Sequence, residues 1–176
     1  MSAQFQDATH PQLARSTMTV HDLPAVMAVE VSVYSHPWSR GNFIDSLAAG
    51  YVAEVLRAGE AGLVGYFVAL PGVDELHLLN ITVAPAWQGL GHGLSLLDAV
   101  QSQARTRSLA TLWLEVRVGN QRARDLYRRL GYAEVGLRRN YYPAAAGQRE
   151  DAVVMSLRVP PAAPTTPISG GPRGLD

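Results

Sequence analysis

Three apolar runs rich in β-branched residues, 51–57, 63–70 and 76–83, follow one another with only two short breaks, Ala58-Gly59-Glu60-Ala61-Gly62 and Pro71-Gly72-Val73-Asp74. Breaks that short, with glycine and proline in them, have room for tight turns alone, so the runs predict a β-meander. The next stretch differs in kind. After the glycine-rich residues 88–93, Leu94, Leu96, Leu97, Val100 and Ala104 recur at helical spacing up to Thr106. A strand over 111–118 comes next, then Asn120 as the cap of a helix over 121–130 that Gly131 ends. Two further strands, 133–137 and 151–159, flank a loop over 139–150. Upstream, Asp22 and Pro24 open a helix reaching Val33, and Ser39 opens a second helix that Gly50 closes. Helices, then a meander, then strand–helix alternation predict an α+β fold: a mixed sheet covered by helices rather than a uniform βαβ array.

Composition narrows the chemistry. The 176 residues are 47% apolar, with 15 acidic and 15 basic side chains, which suits one buried core without charge bias. Residues 1–15 lack periodicity and residues 160–176 are crowded with Pro, Gly, Ala, Ser and Thr, so both read as tails around a domain over 16–159. No apolar stretch approaches the ~20 residues of a bilayer span, and the polar start lacks a signal peptide's plan; a soluble cytoplasmic protein is expected. Cysteine is absent, and all 15 basic residues are arginine. A thiolate metal site, a cysteine-bound acyl intermediate, a Schiff-base lysine and a P-loop lysine are thereby excluded. The five histidines show no metal-ligand spacing, and no metal is assigned.

The sharpest local feature is the run from Ile81, Thr82 and Val83 through Trp87, Gln88, Gly89, Leu90, Gly91, His92 and Gly93: a strand entering glycines that open a helix. A helix N-terminus offers unpaired N–H groups and partial positive charge, and glycines let an anion come close to the backbone. A Rossmann fingerprint would need glycine where Leu94 stands, and a P-loop would need its lysine. Taken alone, the run reads as an ordinary strand-to-helix turn.

Gln88-x-x-Gly91-x-Gly93 resembles the acetyl-CoA pyrophosphate motif of the GCN5-related N-acetyltransferase (GNAT) superfamily. Asn120-x-x-Ala123-x-x-Leu126-Tyr127-x-x-x-Gly131-Tyr132 resembles its second block. Within the superfamily, the segments 113–117, 138–143 and 149–152, with His36-Pro37-Trp38-Ser39, are similar to the RimI-type ribosomal-protein-alanine acetyltransferases. The resemblance spans essentially 16–159. It implies a three-layer αβα fold, largely antiparallel, whose fourth and fifth strands, here 76–83 and 111–118, splay apart to admit acetyl-CoA. It also implies cofactor contacts at Ile81, Thr82 and Val83, at Trp87 through Gly93 and at Asn120, with Glu115 as proton acceptor and Tyr127, beside the cofactor, as proton donor. His92 stands where relatives usually carry Arg or Lys, and Gly119 where they often carry Ser.

The residues suit those roles on their own chemistry. Alternation along 111–118 sets Leu112, Leu114, Val116 and Val118 on one face and Trp113, Glu115 and Arg117 on the other. Apart from the resemblance, Glu115 reads as a salt-bridge partner of Arg117, and Tyr127 as a core tyrosine with a satisfied hydroxyl. Acyl transfer to an amine needs a base for the nucleophile and an acid for the departing thiolate, and the missing cysteine favours direct attack over an acetyl-enzyme. Seven arginines fall between Arg117 and Arg139. They read as a solvated helix face with Asp125 and Arg129 paired, the alternative being attraction to ribosomal RNA or to the cofactor's 3′-phosphate. The expected acceptor is a protein N-terminus, the N-terminal alanine of small-subunit ribosomal protein eighteen, with Tyr141 and Tyr142 lining its groove. A small-amine or antibiotic acetyltransferase and a non-catalytic acetyl-CoA-binding module are the alternatives.

Overall fold

The structure, a computed structural model, describes residues 12–160. Residues 1–11 and 161–176, most of both expected tails, lie outside the described residues. The chain runs β1 (Leu13–Thr17), α1 (Leu23–Val33), α2 (Arg40–Ala48), β2 (Val52–Ala58), β3 (Leu63–Pro71), β4 (Glu75–Val83), α3 (His92–Thr106), β5 (Thr111–Arg117), α4 (Gln121–Arg129), β6 (Ala133–Pro143) and β7 (Arg149–Arg158). The strands form one sheet in the order β1-β2-β3-β4-β5-β7-β6, antiparallel at every step except β4–β5.

Helices cover both faces, as the three-layer reading expects. On one face, Leu96, Leu97 and Val100 of α3 and Tyr127 of α4 pack with Phe67, Leu76, Leu112 and Leu114. On the other, Leu23 and Val26 of α1 and Phe43 of α2 pack with Val55, Tyr66 and Val68. β3 lies between the two cores and is buried along most of its length, which is why its sequence is continuously apolar instead of alternating. β5 alternates as expected, with Leu112, Leu114 and Val116 buried.

β4 and β5 pair from Glu75↔Thr111 to Leu78↔Leu114 and no further. Beyond Leu78 the two strands part, while β3 stays paired with β4 up to Val83. Gly65 makes that close pairing possible: a Cβ there would sit 2.5 Å from the Thr82 carbonyl oxygen.

Three expectations need correction. A strand precedes the helices: β1 starts at Leu13, inside the expected tail and ahead of Ser16, and pairs with β2. With it, β4 and β5 are the fourth and fifth strands. Asp22 is the N-cap residue of α1, but its side chain bonds no helix N–H; its carboxylate accepts from Thr19 N at 2.7 Å and from Arg57 Nη2 at 2.6 Å. The expected loop 139–150 is mostly strand, because β6 continues to Pro143 and β7 begins at Arg149, with an irregularity in register between Arg138 and Tyr142 where Asn140 takes φ 50°.

Candidate active site

Two adjoining cavities, about 360 and about 440 Å³, open where β4 and β5 part, and Tyr34, Ile81, Asn120 and Ala123 stand in the walls of both. The larger is bounded by Ile81, Thr82 and Val83 at the free end of β4 and by the turn that follows. Trp87, Gln88, Gly89, Gly91, His92 and Gly93 line it, whereas Leu90 is exposed and outside the wall. Gly89 has φ 78° and Gly91 φ 88°, the left-handed region that favours glycine, and a Cβ at either would meet nothing within 4 Å. Gly91 is the N-cap of α3 and no side chain among the described residues caps that end, so the backbone itself faces the cavity. The Gln88 side-chain amide donates to Val83 O at 3.1 Å and ties the turn to β4. His92 packs edge-on against Trp87 with ring centroids 5.5 Å apart. Arg122 and Arg129 of α4 border the same cavity. Unhindered backbone, a helix N-terminus and arginine side chains together fit a polyanion.

The smaller cavity holds the carboxylates, Glu30 and Glu115. Glu115, Tyr127 and Tyr142 line it together. The Glu115 side chain is only 5% exposed, and both its oxygens are engaged: His77 Nε2 is 2.5 Å from Oε2 and Arg138 Nη2 is 3.2 Å from Oε1. Arg117, the partner expected from spacing, pairs instead with Glu150 of β7 at 3.0 Å and lies over the Tyr142 ring at 4.4 Å. Glu150 also accepts from the Gly119 N–H at 2.8 Å and so fixes the turn before α4.

Tyr127 is buried against Tyr132, but its hydroxyl has no hydrogen-bond partner among the described residues, unlike the satisfied core tyrosine that its spacing suggests. Burial, with a smaller contribution from Tyr34, pushes its pKa up to about 12. Tyr142 donates its hydroxyl to Glu115 O at 3.0 Å, and burial followed by the Glu115 charge raises its pKa. Tyr141 stands outside both walls, 39% exposed, with Arg138 over its ring at 5.3 Å. Asn120 caps α4 by accepting from Ala123 N at 3.2 Å. On α4, Asp125 pairs with Arg128 rather than Arg129, and Glu134 engages Arg124 and Arg128; Arg129 is left on the wall of the larger cavity.

A polar network in the wall of the smaller cavity, at Glu30, Tyr34, Trp38 and Asn80, is absent from the sequence reading. Glu30, 1% exposed, accepts from the Trp38 N–H at 2.8 Å, from Tyr66 and from Asn80 Nδ2. Tyr34 donates to Ile81 O at 3.2 Å and meets Thr82 Oγ1 at 2.9 Å. These bonds hold the end of α1 and the segment after it against the free end of β4. A signal was available: Leu23, Val26 and Glu30 share the buried face of α1, and a carboxylate on an apolar stripe calls for buried donors.

Comparison with known proteins agrees with this architecture. The profile of the acetyltransferase (GNAT) family matches residues 23–132. The [ribosomal protein bS18]-alanine N-acetyltransferase of Salmonella typhimurium is 38% identical over 144 residues, 82% of this chain and 96% of that protein. Its Haemophilus ducreyi counterpart is 33% identical over 141 residues, 80% of this chain and 97% of that one. Among solved structures, the ribosomal-protein-S18-alanine N-acetyltransferase of Escherichia coli superposes with a TM-score of 0.79 at 35% identity, covering 88% of this chain and 99% of its own. With a splayed β4–β5 pair, a glycine turn opening α3 and a profile match across most of the described residues, the chain belongs to the GNAT family of acetyltransferases, whose acetyl donor is acetyl-CoA.

Proposed function

We propose that this protein transfers the acetyl group of acetyl-CoA directly to the N-terminal amine of a protein, with the N-terminal alanine of ribosomal protein bS18 as acceptor and the cytoplasm as its place of work. One observation carries the chemistry: Glu115 and Tyr127 face a single cavity that shares a wall with the glycine-turn cavity, so an acid–base pair adjoins an anion cradle. The acceptor follows from the relatives named for it, matched over nearly their whole length.

Bound acetyl-CoA supplies a thioester-activated acetyl group. The turn at Gly89 and Gly91 and the N-terminus of α3 hold its pyrophosphate through backbone N–H groups, with Arg122 and Arg129 adding charge. Ile81, Thr82 and Val83 present a strand edge that lacks a β5 partner, and Asn120 stands between the two cavities. Glu115 accepts the amine proton on a carboxylate oxygen, directly or through one water molecule. Tyr127 serves the departing sulfur. A phenol with pKa about 12 holds its proton more tightly than a thiol of reference pKa ~8.5, and full transfer would be uphill by roughly 5 kcal/mol. Tyr127 therefore acts chiefly as the hydrogen-bond donor that stabilises the developing thiolate.

Proton energetics favour an α-amine over lysine. An N-terminal amine costs about 1 kcal/mol to deprotonate at pH 7 and a lysine roughly 4–5 kcal/mol, a difference one carboxylate does not erase. The test is intact-mass analysis after incubation with acetyl-CoA of a peptide starting with alanine and of the same peptide with a blocked N-terminus and an added lysine. Addition of one acetyl group to the first alone is expected; faster modification of the second would overturn the N-terminal reading.

A further inference from the structure

The two oxygens of Glu115 are held differently. His77 Nε2 approaches Oε2 to 2.5 Å with its side chain 24% exposed, whereas Arg138 reaches Oε1 at 3.2 Å with its side chain 51% exposed. Strand register explains the closer contact. His77 pairs with Trp113, and Leu78↔Leu114 is the last step before β4 and β5 part. Glu115 is thus the first β5 residue past the join, on the same side as Trp113 and His77, and the imidazole reaches it across the apex of the gap. His77 itself stands in neither cavity wall, so anything it does for the reaction it does through Glu115. A carboxylate has no proton to give, so the imidazole donates from Nε2. The backbone at Glu115 is separately fixed by the Tyr142 hydroxyl on its carbonyl, which leaves the side-chain torsions for His77 to set.

We propose that His77 is a positioning residue for acetyl transfer: its Nε2–H bond fixes Oε2 and keeps the carboxylate in the mouth of the gap, with Oε1 aimed at the acceptor amine. The proposal rests on the base role given to Glu115 above. Arg138 is the exchangeable partner. An incoming ammonium brings to Oε1 the same charge as the guanidinium it replaces, so the exchange leaves the charge of the site unchanged. Without the imidazole, Glu115 keeps only the half-exposed arginine, which draws the carboxylate toward β6 and away from the amine.

The experiment compares His77→Leu, His77→Gln and His77→Asn in steady-state kinetics with acetyl-CoA and a peptide starting with alanine, with Glu115→Gln as reference. Glutamine places an amide N–H near the position of Nε2, leucine keeps the bulk without a donor, and asparagine has a donor that falls short. Leucine and asparagine should lower kcat by about tenfold or more with the acetyl-CoA KM within about twofold, and glutamine should return kcat to within about threefold of the parent. If His77→Leu does not fold, the contrast between glutamine and asparagine decides. Turnover at the parent level in the leucine or asparagine variant, or a glutamine variant as slow as asparagine, overturns the proposal. Parent-level turnover in Glu115→Gln removes the base assignment and this proposal with it. A slow Glu115→Gln beside a fast His77→Leu leaves the base in place and removes His77 alone.

Discussion

Gly91→Ala should produce a deficit whose size is set by the backbone and whose location is set by the ligand. Gly91 sits at φ 88°, ψ 0°, and a Cβ there would meet nothing within 4 Å, so no clash enters the calculation. What remains is the left-handed penalty of an L-residue, roughly 1–2 kcal/mol. If the turn keeps its shape, that penalty falls on the fold, and melting drops by about 2–8 °C for a chain of this size. If the turn relaxes, stability recovers and the same free energy reappears as acetyl-CoA affinity weakened by about five- to thirtyfold. The loss can be divided between the two readouts but cannot vanish from both. Gly93→Ala is the control: its φ is ordinary, its Cβ would meet only Val83 Cγ2 at 4.0 Å, and alanine is the better helix former by up to ~1 kcal/mol. Calorimetric titration with acetyl-CoA and thermal unfolding on the same samples make the measurement. A Gly91→Ala protein unchanged in both would refute the reasoning.

Tyr127→Phe should slow turnover on the order of a hundredfold while leaving acetyl-CoA affinity within a few-fold, as stopped-flow and calorimetry would show. The raised pKa also has a stability consequence: the unfolded chain ionises from pH ~10 while folded Tyr127 holds its proton to about 12. Its contribution is therefore intact below pH ~10 and lost on the way up, by about 3 kcal/mol, and chemical denaturation across that range should lack this share in the phenylalanine variant. Tyr132 buries a hydroxyl with no partner among the described residues at 3% exposure, so Tyr132→Phe should be neutral or stabilising by about 1 kcal/mol in urea melts; a loss above ~2 kcal/mol would mean that the hydroxyl has a partner.

The features written in the sequence as local pattern emerge in the structure much as read. The meander shows in three apolar runs because β3 is covered on both faces, and the turn into α3 shows because positive φ leaves glycine as the residue of choice. Glu115 could be placed on the correct face of β5 from alternation alone. Its partners could not: His77 is 38 positions away and reaches it only through the β4–β5 register, and the nearer Arg117 was drawn off by Glu150. β1 escaped because all five of its residues are exposed at the sheet edge, which leaves no apolar alternation to read. The β6–β7 hairpin was cut short for a similar reason, with β6 solvent-exposed along most of its length and interrupted where Asn140 takes positive φ. The Glu30 network is not written as local pattern because its donors, Trp38, Tyr66 and Asn80, come from three separate segments, although the carboxylate itself stands on an apolar stripe.

The sheet is joined across its middle by four residue pairs between β4 and β5, and everything from β5 onward hangs on that short ladder and the helices laid over it. A ligand seated in the gap touches both sides of the join, so the acetyl donor belongs to the thermodynamics of the fold as much as to its chemistry. At a hundredfold excess over its dissociation constant it adds about 2.7 kcal/mol to the folded state, a large share of the total for a domain of this kind. Acetyl-CoA at such an excess should therefore slow digestion by a protease that cuts unfolded chains about a hundredfold, and pulse proteolysis with and without the donor is the measurement.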